Sequence, residues 1–194
     1  MTENEQSGLG GKFGAKTTGS QINYGHPNSQ QILDSAVAII RESERGRLLL
    51  KLLDFKRVPV HIIKGMGQSG FSPEAMTIYL QVPGSVSMAT PAFTISLIKA
   101  LNEAAQELAG FKTPDPRKDI MAYATFIHGR NLDSITEVCR VIKELTNTSH
   151  FTNLLDSLTE LGLNGVYKAY IDGKPREALY EQYAAAYDAV RGRS

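Results

Sequence analysis

The chain has 194 residues, enough for one domain with or without an appendage, and 42% of them are apolar, enough for a substantial core. Lys and Arg total 21 against 20 Asp and Glu, a balance that gives no global attraction to nucleic acid or to an anionic membrane surface. Cys139 is the single cysteine, which excludes an internal disulfide and a Cys-based zinc cluster.

Residues 1–28 are dominated by Gly, Ser, Thr, Asn and Gln, with only Leu9, Phe13, Ile22 and Tyr24 able to anchor anything. Such a segment buries too little apolar surface to offset its ordering entropy, so it reads as an extended or flexible arm. Phe13 and Tyr24 become candidate partner-binding anchors if the arm orders on assembly. The N-terminus has no secretory apolar segment, and no run approaches the ~18 apolar residues of a membrane span. The expected location is the cytoplasm, or an assembly built there.

Asn28 or Ser29 can cap a helix whose apolar positions are Ile32, Leu33, Ala36, Val37, Ile39 and Ile40. A mixed charge run, R-E-S-E-R-G-R, leads to a second apolar helical stretch from Leu48 to Phe55. Val58 to Ile63 is β-branched and reads as a strand, as does Thr77 to Val82, which Pro83-Gly84 ends. The glycine-containing loop between them lacks the G-x-x-x-x-G-K-[ST] pattern and opens no helix, so it is not a phosphate-binding loop. His61, within the first strand, reads as a packed or edge histidine.

Thr90 to Gly110 is the central helix: Thr90 can cap it, Pro91 suits its first position, and Gly110 can end it. Phe93, Leu97, Leu101, Ala104 and Leu108 recur at spacings of three and four and predict one buried stripe. Asn102 and Gln106 point roughly opposite, with Lys99 and Glu103 beside them. Further on, D-I-M-A-Y-A-T-F-I predicts a helix ending near His128-Gly129, and Leu132 to Leu145 another, capped by Asp133 or Asn131. Cys139 falls in that apolar pattern and reads as a small buried hydrophobe rather than a nucleophile. Phe151 to Leu161 predicts a helix stopped by Gly162, Val166 to Ile171 is ambiguous, and Pro175 to Val190 predicts the last helix. Tyr180, Tyr183 and Tyr187 recur on it at helical spacing, which suits an interface as well as a core. The expectation is an α+β fold, mostly helical, with a small two-stranded element beside the central helix. Its parts are an arm (1–28), an α+β core (29–128) and a helical C-terminal region packed on that core (129–194).

The polar face of the central helix reads Asn102-Glu103-Ala104-Ala105-Gln106. In the pattern H-E-x-x-H, two histidines one turn apart bind zinc and the glutamate polarises the bound water. Helix, strand, glycine-containing loop, strand and then this helix resemble the minimal core of zincin-like metallopeptidases, and more narrowly a family of uncharacterised bacterial and phage members. The resemblance spans roughly Gln30 to Ile127. It implies that Glu103 stands at the catalytic glutamate, that Asn102 and Gln106 replace the histidine ligands, and that Asp119 stands at the acidic third ligand. Carboxamides are poor zinc ligands beside imidazole, and without zinc Glu103 has no activated water to act on. A substitute site using His61 or His128 with Glu103 and Asp119 is a further option.

The leading expectation is therefore a non-catalytic structural or assembly subunit, without metal or cofactor, that binds other proteins of a larger complex or copies of itself. The alternative is a hydrolase or small-ligand binder in which Asn102, Glu103, Gln106 and Asp119 converge on a remnant cleft. A third possibility is an interaction domain without zincin ancestry, with Asn102 and Gln106 facing bulk water.

Overall fold

The computed structural model describes residues 22–54, 58–65, 69–111 and 113–191. In chain order the elements are β1 (Ile22–Tyr24), α1 (Ser29–Arg41), α2 (Glu44–Asp54), β2 (Val60–Lys64), β3 (Gly70–Ser72), β4 (Thr77–Val82) and α3 (Pro91–Leu108). Then follow α4 (Ile120–Glu144), α5 (Phe151–Glu160), α6 (Asn164–Ile171) and α7 (Arg176–Arg191). The arrangement is mixed α and β and mostly helical. Among the described residues no helix is long and apolar enough to cross a membrane.

The sheet is larger than the pair of strands the sequence suggests. Its order is β1-β2-β4-β3, with β1, β2 and β4 parallel and β3 antiparallel at the edge. β4 matches its predicted bounds, and Ile78, Leu80 and Val82 alternate into the core, as a half-buried strand requires. β1 and β3 are three residues each, too short for an alternation to be visible in sequence. Their partners define them: Ile22 lies opposite Val60, and Phe71 opposite Ile78.

The predicted arm therefore stops short of Asn28. His26 is fully buried: its Nδ1 accepts from the Asn28 N–H at 3.1 Å, so Nε2 carries the proton and donates to the Pro83 carbonyl at 3.2 Å. Asn28 stands at the N-cap of α1 but does not cap it through its side chain; its Nδ2 donates to the Val86 carbonyl at 3.2 Å. Residues 22–28 are thus tied into the sheet and the β4–α3 connection, and the rest of the predicted arm, residues 1–21, lies outside the described residues.

Burial of Ile32, Leu33, Ala36, Val37 and Ile40 seats α1 against the core. The tight corner into α2 needs Gly46, since a Cβ there would collide with the Ile40 carbonyl. α3 is capped as expected, with Thr90 Oγ1 accepting from Phe93 N at 3.1 Å, and Gly110 takes φ +88° beyond its end. Phe93, Leu97, Leu101 and Ala104 are buried, but Leu108 is 41% exposed, because the last turn of α3 runs past the packed layer.

The expected helix end at His128-Gly129 does not occur. α4 is a single 25-residue helix through Gly129, which absorbs a helical glycine's penalty of about 1 kcal/mol. Packing outweighs that penalty, for α4 lies against α3, α2, α5, α6 and α7. Asn131 and Asp133 consequently lie inside it rather than at a cap, and no break separates 29–128 from 129–194. One apolar cluster spans both, from Ile32 to Tyr183. The ambiguous stretch at Val166 is helical, as α6. Cys139 is fully buried, and burial pushes its thiol up to about 12.

Candidate functional site

α3 carries its polar face into the interior rather than to water. Asn102 is 6% exposed and donates through Nδ2 to Ser134 Oγ on α4 at 3.2 Å. Glu103 is 8% exposed; its Oε1 pairs with Lys99 Nζ one turn earlier, and its Oε2 accepts from the Phe71 N–H of edge strand β3 at 3.4 Å. A buried carboxylate needs such partners, because desolvation penalises its charge. Lys99, one turn before Glu103, supplies one partner in the less favourable Lys-before-Glu order, and β3 supplies the other.

Arg130 binds the end of α3 to α4. Its Nη2 donates to the Glu103 carbonyl at 2.8 Å, and its Nη1 pairs with Glu107 Oε2 at 3.1 Å and reaches Thr113 Oγ1 at 3.4 Å. The guanidinium side chain is only 9% exposed. Asn131, the next residue, hydrogen-bonds Tyr183 of α7; burial raises the Tyr183 phenol above its ordinary pKa against that bond, and the nearby Tyr187 and Glu103 add to the rise.

Gln106 is treated differently. Its Oε1 is sealed from solvent and has no hydrogen-bond partner, a condition that costs about 1–3 kcal/mol. Asp119 is exposed and serves as the N-cap of α4, its Oδ1 accepting from Ala122 N at 2.8 Å.

The four residues proposed to line one cleft therefore do not converge. Glu103 lines a cavity of about 740 Å³ between β3, α3 and α4, with Phe71, Lys99, Asp115, Tyr123 and Arg130. Gln106 lines a separate pocket of about 250 Å³ with Phe111, Phe126, Arg130, Asp133 and Arg176. Asn102 is packed on Ser134, and Asp119 is occupied at a helix start. Neither does Asn102 face bulk water, as a bland interaction domain would have it.

The zinc ion implied by the resemblance does not fit these residues. Asn102 spends its amide on Ser134, Glu103 is already paired with an ammonium, and Asp119 is turned to a backbone amide. His61 lies edge-on to Tyr79 at 5.3 Å, and His128 edge-on to Tyr187 at 5.4 Å. Among the described residues no three His, Cys, Asp or Glu side chains gather as a metal site.

Of the partner-binding candidates, Phe13 lies outside the described residues, and Tyr24 is placed by its backbone in β1 only. Tyr183 is 8% exposed and packs as core with its hydroxyl on Asn131, so it is not a free contact residue. Tyr180 and Tyr187 are 45% and 41% exposed. Sequence reasoning missed Arg130 and Ser134. They stand one turn apart on α4, a relation hidden once the helix was expected to stop at Gly129. No family model matches the chain, and no curated protein or solved structure matches it.

Proposed function

We propose that this chain is a non-catalytic structural or assembly subunit on a degenerate zincin-like scaffold, binding other proteins of a larger complex. The observation that supports it most is the fate of the α3 polar face. Positions that would hold a metal and its base are spent on packing: Asn102 on Ser134, and Glu103 on Lys99 and the Phe71 amide. A base held by an ammonium at one oxygen and an amide at the other has lost much of its reach toward a substrate proton. Exposed Tyr180 and Tyr187, and the residues before Ile22, are the contacts such a subunit offers.

Light scattering on the full chain and on a chain beginning at Ile22 tests this reading. The full chain is expected to run above the mass of one chain or with bound partners, and the shortened one as a folded single chain. A full chain that is always alone in solution argues against it.

The 740 Å³ cavity favours a second reading, a metal-independent ligand binder or hydrolase acting beside Glu103. Saturable binding of a small polar ligand, lost in Glu103→Gln, would support it.

A further inference from the structure

Among the described residues Met76 is the only non-glycine residue with a positive φ, at +48°. A long side chain in the left-handed region is strained, and such strain clusters at turns and at segments that move. Met76 closes the segment 70–76, which is β3 and the turn into β4. Both ends of that segment are fixed: before it Ser69 Oγ accepts from Gln81 N at 2.9 Å, and after it Thr77 is buried. Between them the hold is loose. The bonds from Phe71 N to Glu103 Oε2, Ala75 N to Ser72 Oγ and Met76 N to Pro73 O are all 3.4 Å. Ordinary N–H···O bonds fall at roughly 2.7–3.2 Å. Phe71 alone of these residues packs on the apolar cluster.

We propose that residues 70–76 are a flap over the 740 Å³ cavity, hinged at Met76, and that its opening frees Glu103. Gly70, Phe71, Pro73 and Glu74 wall that cavity on one side, with Tyr123 and Arg130 of α4 on the other. Closed, the flap gives the Phe71 N–H to Glu103 Oε2, and Glu103 is 8% exposed. Open, it takes that amide away and leaves the oxygen to accept from an N–H or O–H of an occupant. One movement admits a ligand and supplies the group that holds it.

The residue at the hinge makes both positions accessible. Leaving the left-handed region relieves Met76, which offsets part of the cost of breaking the three β3–β4 pairs. Asparagine tolerates that region better and would hold the flap closed. The other end has room to turn, since a Cβ added at Gly70 meets nothing nearer than Glu103 Oε2 at 3.9 Å. The inference deepens the reading of the cavity as a ligand site; it rests on that reading for the use of the motion, not for the motion itself.

Residue-resolved amide hydrogen exchange on the full chain at neutral pH tests it with no ligand present. Corrected for intrinsic rates, the Phe71 amide should exchange at least about a hundredfold faster than that of Ile78, which donates to the Pro59 carbonyl at 2.9 Å. Met76→Asn should slow the Phe71 amide about fivefold. Glu103→Ala, which removes the latch, should quicken it about threefold, with the protection of Ile78 reporting that the chain is still folded. A Phe71 amide that exchanges in step with Ile78, or that is indifferent to Met76→Asn, overturns the flap; indifference to Glu103→Ala overturns the latch. A flap that opens beside a cavity that binds nothing would sink the ligand reading and spare the motion. A cavity that binds beneath a Phe71 amide as protected as Ile78 would do the reverse.

Discussion

Asn102 and Gln106 stand one turn apart on α3 and are both carboxamides, yet the regions around them differ. At Asn102 the helix is covered by α4, and Ser134 accepts its amide. At Gln106 the cover thins into a pocket, and the amide oxygen is left unpaired. The same carboxamide group is thus a packing element in one turn and an unmet hydrogen-bonding group in the next. What decides is not the residue but whether the facing helix supplies a partner.

The largest test of that contrast is Arg130→Met, which removes the cation joining both regions. With Glu107 deprived of its partner and the Glu103 carbonyl of its donor, stability should fall by about 3 kcal/mol in urea unfolding. A loss under about 1 kcal/mol would show that Arg130 is not the staple described. Asn102→Leu should cost about 2 kcal/mol, since the buried Ser134 hydroxyl loses its donor. A neutral result there would erase the distinction between the two regions.

The far end of α4 sharpens the comparison with an exposed carboxylate that is fully met. Burial pushes the Glu144 carboxyl up, but the Ser43 hydroxyl and the amides of Arg45 and Glu44 outweigh it and hold its pKa below the ordinary value. A depressed folded pKa means stabilisation that is present above the unfolded value and lost as pH falls through the folded one. Stability should therefore drop on acidification below about pH 4, and Glu144→Gln should flatten that part of the profile. An unchanged acid limb would place the proton linkage elsewhere. The smallest effect is expected at the orphan: Gln106→Leu should be neutral or raise stability by up to about 1 kcal/mol, because the unpaired oxygen disappears. Marked destabilisation there would mean that the amide has a role the folded structure does not show.

Much of the fold is legible because long periodic segments carry their own signal. Thr90, Pro91 and Gly110 mark α3, and the β-branched run at Val60 marks β2. β1 and β3 escape notice because pairing, not alternation, makes them strands. The helix stop expected at Gly129 fails because packing along α4 outweighs a local preference. That one misplacement also hides the site. Only on a continuous α4 do Arg130 and Ser134 share a face and meet α3, so a helix wheel of α3 alone shows Asn102 as solvated when it is buried.

On the proposed reading the polar face of α3 serves packing and holds no metal. Elemental analysis of the full chain purified without chelator tests it most directly. Zinc well below one per chain is the predicted result; one zinc per chain would contradict it.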